Sequence, residues 1–404
     1  MNSAKVKLST YFWAMFGPVK LHLKAGREDS ILRGHPWVFS GSLAAHVDAF
    51  PEGAWAVVCD AQGRPLASGY LCHGSIAVRL LVFGPTSSDP ETAIEEQVKK
   101  ALQLRLSLGF RLSAESAVRL VNGEGDGLPG VIADWYGGFL VVQLHVRALR
   151  AYQELLQKIF FRVLGEGLKK ILFRDTWNYP SAETDFSNEK PTFLEIRENG
   201  LRFTVKPGSG QKTGFYLDQR NNRLLCRQLA AGRRVLNLFS FTGGFTLNAL
   251  AGGAQEAVSV DSSGEALSIL QNHLKINNLE KKTHRAYCAD IFKWIANFPE
   301  TFDVVICDPP SLARSAQARH TAIQAYKRLN EQVLQKVEPG GLLFTFSCTA
   351  VVSVEHFEGA LRAAAISAGR RVYILKQLDP DLDHPWAMAH PEGRYLKGFL
   401  LHVE

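Results

Sequence analysis

The chain predicts an α/β protein in three parts: a small β barrel, a small α+β middle domain, and a C-terminal domain built as a doubly wound parallel sheet. Three observations predict it. Short β-like runs crowd the first ninety residues. Strand and helix patterns alternate from Lys206 onward, as they do where helices cover both faces of a parallel sheet. Two apolar runs near the C-terminus, FDVVICDPPSLARS (302–315) and GGLLFTFSCTA (340–350), turn abruptly chemical at their ends. The first ends in Asp308-Pro309-Pro310 and the second in Ser347-Cys348-Thr349. Ligands and reacting groups gather beyond the carboxyl ends of such strands, so a carboxylate and a thiol should share one crevice. That pair suits covalent chemistry on an aromatic ring.

Taken in order, residues 1–18 read as an extension, with two lysines before an apolar patch too short for a signal core. Residues 19–90 hold the runs VKLHL, WVFSGSL, WAVVCD, PLASGYLC and IAVRLLVF, separated by turn residues such as Ala61-Gln62-Gly63-Arg64. The Gly84–Pro90 stretch is a linker whose Ser/Asp/Pro end caps a helix. Residues 91–205 open on that helix (91–110), apolar at three- and four-residue spacing. Strand-like runs follow at 118–121, 130–134 and 138–146, then a helix over 149–165 and strands at 169–174 and 200–205. In 206–404, strands fit 234–239, 257–261, 284–289, 302–307 and 341–346. Helices fit 214–231, 244–252, 264–277, 321–337 and 353–368, and the tail reads as an antiparallel edge hairpin around a long loop.

Composition narrows the function classes. The chain has 404 residues and a formal charge of +7, basic enough to favour a polyanionic partner. Most of the excess lies in residues 206–404, with 23 Lys and Arg against 18 Asp and Glu. Six cysteines without a CxxC or zinc-type spacing fit a reducing cytoplasm and no metal site. No run approaches the length of a membrane span, so no membrane partner is expected.

Within the last domain, VLNLFSFTGGFTLNAL (235–250) is a strand, a turn and a helix. Gly243 and Gly244 let the backbone approach a ligand at a helix N-terminus. The last domain holds no GxGxxG, which weakens a nicotinamide-dinucleotide reading. Eighteen residues after Gly243 the second strand ends in Asp261, an acid placed to accept a ribose diol. The third strand ends in Asp290, on the adenine side. Glycine turn, ribose acid, adenine-side acid and DPP strand end together describe an S-adenosylmethionine pocket.

The chain resembles the bacterial large-subunit ribosomal RNA methyltransferases that make 5-methylcytosine and carry an N-terminal PUA domain. The resemblance runs from about Val19 to the C-terminus. It rests on LRGHPWVFSG (32–41), GEGDGLPG (123–130), QKTGFYLDQRNNR (211–223), LNLFSFTGGFT (236–246), VSVDSSGEAL (258–267), FDVVICDPP (302–310), FTFSC (344–348) and HPEGRYLKGF (390–399). It implies a PUA-like barrel, a Rossmann-like class I methyltransferase domain, and methylation of a 23S rRNA cytosine at carbon 5 with S-adenosyl-L-methionine. The RNA could be met free or as a large-subunit precursor, and monomer and homodimer both remain open.

By that resemblance Cys348 is the nucleophile. Carbon 5 of cytosine is a poor nucleophile, and a thiolate added at carbon 6 makes it enamine-like. Asp308 is expected to hold the N3 and amine edge of the base and to lie beside the cofactor. Cys307, inside the apolar run, reads as core. Asp218, Asn237, Phe239, Ser240, Thr242, Gly243, Asp261 and Asp290 are expected around the cofactor. Lys24, Arg27, Arg33, Lys212, Arg220 and Arg394 are expected to meet RNA, with Lys397 helping to shape the target pocket. Trp37 reads as more often buried than stacking. Pro310-Ser311 stands where two-cysteine relatives place a releasing cysteine, so the base that removes the carbon-5 proton is not identified. Two rivals stay open: methylation of an exocyclic amine of guanine or adenine, and a non-catalytic ribosome-assembly factor.

Overall fold

The structure is a computed structural model, and it describes residues 17–85, 89–176, 193–207, 213–313 and 315–404. All but the last two residues of the expected 1–18 extension lie outside the described residues. The chain forms two compact units. One comprises the chain up to Ile196 with Val205–Phe215 and Leu382–Gly393; the other comprises Arg197–Thr204, Tyr216–Asp381 and Arg394–Glu404.

The first unit opens with the PUA-like sheet. Its strands are β1 (Val19–His22), β2 (Trp37–Phe39), β3 (Trp55–Cys59), β4 (Pro65–Leu71) and β5 (Ile76–Phe83), in the order β1-β3-β4-β5-β2. Alternating apolar residues, among them Leu21, Val38, Val58, Leu71, Val78 and Leu80, form its core. Gly69 of β4 sits at a register shift, and a Cβ there would stand 1.9 Å from the carbonyl oxygen of Arg79. Only glycine permits that approach. A short helix, α1 (Asp29–Leu32), precedes β2.

Asp89 caps α2 (Pro90–Ser107) by accepting the Thr92 N–H at 3.0 Å, with proline at the first helical position. Strands β6 (Ala117–Asn122), β7 (Val131–Tyr136) and β8 (Phe139–Leu144) form an antiparallel meander. Helix α3 (Gln153–Leu164) then crosses to β9 (Lys170–Asp175), parallel to β8. Ile94, Val98, Leu156 and Phe160 share one core with Trp55, Tyr70 and Leu81 of the first sheet. The barrel and the α+β segment therefore pack as one body.

The hairpin of β10 (Leu194–Glu198) and β11 (Leu201–Val205) gives Arg197–Thr204 to the second unit, and α4 (Arg220–Leu229) follows. The helix expected from residue 214 starts at 220 because Gly214 takes a φ of +139° and Leu217–Gln219 is a 3₁₀ turn. Then come β12 (Arg234–Leu238), α5 (Gly244–Ala251), β13 (Glu256–Asp261), α6 (Gly264–Ile276) and β14 (His284–Cys288). They are followed by α7 (Ile291–Asn297), β15 (Phe302–Cys307), α8 (Arg319–Leu334), β16 (Val337–Ser347), α9 (Val354–Ala368), β17 (Val372–Leu378) and β18 (Lys397–Val403). The sheet order is β14-β13-β12-β15-β16-β18-β17. The first five strands in that order run parallel and β18 is antiparallel to both neighbours. This is the Rossmann-like fold expected. Its strand order reverses between β12 and β15, the place where such sheets open a ligand crevice.

Candidate active site

The crevice is built from the ends of four strands. After β12 the chain turns sharply: Phe239 and Phe241 take φ of +57° and +48°, and Gly243 takes +83°. Two non-glycine residues in the left-handed region mark stored strain, which persists only where surroundings hold it. Asp261, at the end of β13, is part of that support. One carboxylate oxygen accepts the Phe241 N–H at 2.7 Å and the other accepts the Ser263 N–H at 2.9 Å. Each oxygen keeps lone-pair capacity beyond those single bonds. His273 of α6 fixes the far side of the turn, its Nδ1 lying 2.9 Å from the Thr242 carbonyl oxygen.

The Ser240 hydroxyl is buried in this turn and has no hydrogen-bond partner among the described residues. A buried hydroxyl left unpaired at a switch point fits a polar ligand that completes it. The same turn offers a helix N-terminus and, in Asp261, an acceptor for a diol. That donor and acceptor set fits S-adenosylmethionine. Three other expected cofactor residues have engagements of their own. Asn237 is turned into the sheet, donating to Thr246 at 2.9 Å, and Thr246 continues to Ser259 at 2.7 Å. Asp290 is exposed and caps α7 by accepting the Phe292 N–H at 3.1 Å. Asp218 is buried and accepts the Tyr395 hydroxyl at 2.7 Å.

Strands β15 and β16 are adjacent and parallel, with Cys307 paired to Thr345, so Asp308 and Cys348 leave the sheet at neighbouring carboxyl ends. Thr349 ties the two exits together. Its hydroxyl accepts the Leu312 N–H at 3.0 Å and lies 2.8 Å from the Tyr326 hydroxyl. Cys348 is partly exposed, and its Sγ lies 3.7 Å from the carbonyl oxygen of Pro309. Cys307 is fully buried, and burial pushes its thiol well above the ordinary range.

Three further residues belong here, of which the sequence singled out only Lys397, as part of the target pocket. Gln219 is buried and donates to Asp308 Oδ2 at 3.0 Å, while its own oxygen accepts from Asn222 at 2.7 Å. The Tyr216 ring meets Phe241 edge to face at 5.1 Å. Its phenol is held neutral by burial and by the negative fields of Asp308, Asp218, Cys348 and Asp261, which places it among all four. Lys397 of β18 is buried and donates to the Thr349 carbonyl oxygen at 2.8 Å. All three lie in quoted motifs, yet nothing in their spacing distinguishes a buried relay residue from a surface one.

The expected RNA contacts divide. Lys24, Arg27 and Arg33 are exposed around one turn of the PUA-like sheet; Lys24 reaches the Gly41 carbonyl oxygen at 3.0 Å and Arg33 pairs with Asp29 at 3.2 Å. Trp37 is half-buried and donates to Glu124 at 2.8 Å. Arg220 is mostly buried and paired with Asp381 at 2.6 Å, and Arg394 pairs with Asp379 at 3.0 Å. Lys212 lies outside the described residues. No described helix is long and apolar enough to cross a membrane.

Comparison with known proteins agrees with this architecture. Residues 118–386 match the family model described as S-adenosylmethionine-dependent methyltransferase, and residues 21–83 match a PUA-like domain. The ribosomal RNA large subunit methyltransferase I of Cronobacter sakazakii is 36% identical over 395 residues, covering 95% of this chain and 99% of that protein. The protein of the same name from an Escherichia coli strain is also 36% identical, with the same coverage. Among solved structures, a protein described as a SAM-dependent methyltransferase from Streptococcus mutans superposes with a TM-score of 0.81 at 24% identity, covering 95% of this chain and all of that one. Another, solved in complex with SAH, gives 0.82 at 24% identity, with the same coverage.

Proposed function

The chain belongs to the S-adenosylmethionine-dependent methyltransferase family, and from that membership we propose that it methylates carbon 5 of a cytosine in 23S ribosomal RNA through a covalent bond from Cys348. The observation that carries the reading is the pairing of Asp308 and Cys348 at neighbouring strand ends beside the switch-point turn. The relatives named as large-subunit ribosomal RNA methyltransferases and the basic turn at Lys24, Arg27 and Arg33 support RNA as the substrate.

S-adenosylmethionine supplies an electrophilic methyl group. The residues of the chain do the rest. Asp308, oriented by Gln219, holds the N3 and amine edge of the base, and a proton shared with N3 makes the ring a better acceptor. The Cys348 thiolate forms the S–C6 bond, and the C5–C6 π pair moves to carbon 5. Carbon 5 then takes the methyl group. Loss of its proton to water restores the double bond and expels the thiolate. Tyr216, neutral and packed on the strained turn, walls the site without competing as a charge.

RNA carrying 5-fluorocytosine tests the reading, because fluorine cannot leave as a proton. With S-adenosylmethionine the wild-type protein should form a denaturation-resistant adduct on Cys348 that is absent in Cys348→Ala. Methylation of an exocyclic amine without any adduct would overturn it in favour of amine chemistry.

A further inference from the structure

Lys397 stands out among the buried cations of the second unit. It is 1% exposed, makes one hydrogen bond among the described residues, to the Thr349 carbonyl oxygen, and has no carboxylate partner there. An ammonium buried without an anion is costly, and such charges are found paired or at work. Its position is fixed by the sheet, since Lys397 pairs with Ser347 in the β16–β18 ladder. Its Nζ is thereby bonded to the residue that follows Cys348.

We propose that Lys397 is the positioning cation of the site, stabilising the Cys348 thiolate through the low-dielectric space behind the β16 exit. The inference rests on the cytosine-5 reading, which gives Cys348 its role as nucleophile. A thiolate beside a lysine is the arrangement that makes a cysteine reactive at neutral pH. Burial lowers the Lys397 ammonium to about 8, and the Cys348 field opposes that fall. It therefore remains largely protonated at pH 7, where an unpaired thiol is mostly neutral. The other groups facing the pair come from four elements. Arg394, before β18, adds a second positive field at Lys397, while Tyr326 of α8 and Tyr216 are both held neutral. Asp308, beyond β15, acts with Cys348 on both Tyr216 and Tyr326, and a carboxylate so placed disfavours a thiolate. Lys397 therefore offsets Asp308, so that both anions can exist in one crevice.

The step is a proton balance followed by attack. The Cys348 thiol gives its proton to solvent, the thiolate persists beside the Lys397 ammonium, and its lone pair forms the S–C6 bond. Lys397 neither gains nor loses a bond to the base.

The test is the pH dependence of alkylation at Cys348 by iodoacetamide, read by mass spectrometry on the full chain, with exposed Cys288 as internal reference. Lys397→Met keeps the stem and removes the charge; Lys397→Arg keeps the charge. The Cys348 midpoint should rise by about one pH unit or more in Lys397→Met, a roughly tenfold slower reaction at pH 7, and stay near wild type in Lys397→Arg. Calorimetric S-adenosylmethionine affinity confirms that each variant is folded. An unchanged midpoint in folded Lys397→Met, or equal shifts in both variants, overturns the proposal. The 5-fluorocytosine adduct is scored in the same wild-type sample. A charge-dependent midpoint without an adduct overturns the cytosine-5 reading and leaves the thiolate pairing standing.

Discussion

Cys307 and Cys348 show how a few ångströms of strand decide between packing and chemistry. Cys307 is the last residue of β15, fully buried, with a thiol that burial keeps protonated. Cys348 is one residue past β16 and partly exposed. Cys307→Ala should cost about 1 kcal/mol in urea unfolding and leave the 5-fluorocytosine adduct intact. Loss of the adduct in that variant would reverse the two assignments. Gly243 is the matching test at the cofactor turn. Its φ is +83°, and a Cβ there would stand 2.5 Å from Leu270 Cγ. Gly243→Ala should therefore lose roughly 2–4 kcal/mol of stability, from backbone strain and overpacking together, and weaken S-adenosylmethionine binding measured by calorimetry. Strand-end residues such as Asp261, Asp308 and Cys348 are legible in the sequence because an apolar run ending in a polar residue has a fixed structural meaning. Gln219 and Tyr216 are not, since they reach the site from a turn outside the sheet, where no periodicity announces direction.

At the scale of elements, α6 links the glycine turn to the β11 strand through one histidine. His273 Nδ1 lies 2.9 Å from the Thr242 carbonyl oxygen, while Nε2 lies 2.8 Å from the Thr204 N and 3.0 Å from the Thr204 carbonyl oxygen. Burial lowers His273, and it lowers His284 of β14 to about 4. Both are depressed below the unfolded value near 6.5, so the unfolded chain binds more protons as pH falls. Stability is then full above about pH 6.5 and declines toward pH 4. The urea midpoint should fall across that window, and His284→Asn should flatten part of the slope; a flat profile in the wild type would show that neither ring is buried neutral. The alternating elements of this unit are readable because parallel strands buried on both faces are continuous apolar runs. Helix α7 escapes such a reading, being only Ile291–Asn297, and β10 escapes it because its alternation has meaning only beside β11. The start of α4 lies six residues beyond its expected place because the Leu217–Gln219 turn carries helix-compatible residues in a 3₁₀ conformation.

Over the whole molecule, sequence order and spatial grouping part company. Leu382–Gly393 belongs to the first unit although β17 and β18 on either side of it belong to the second. Within the first unit, Asp383 explains the grouping. Its carboxylate accepts the Arg119 N–H at 2.9 Å, and its carbonyl oxygen accepts from the fully buried Arg105 at 2.8 Å. Such partners lie more than 260 residues apart in the chain, a separation at which no local pattern operates. The charge pattern, by contrast, is legible and carries the last prediction. Lys24, Arg27 and Arg33 are exposed and belong to the first unit, whereas the residues assigned to the cofactor belong to the second. If they hold RNA phosphates, the triple change to Gln should weaken binding of the RNA substrate while leaving S-adenosylmethionine affinity unchanged. With three fewer phosphates neutralised, the slope of log affinity against log salt should also shrink by about 2 to 3. Titrating labelled RNA at several salt concentrations measures both effects. An unchanged slope would mean that these cations are ordinary solvated surface, and that the net positive charge of residues 206–404 carries the electrostatic attraction instead.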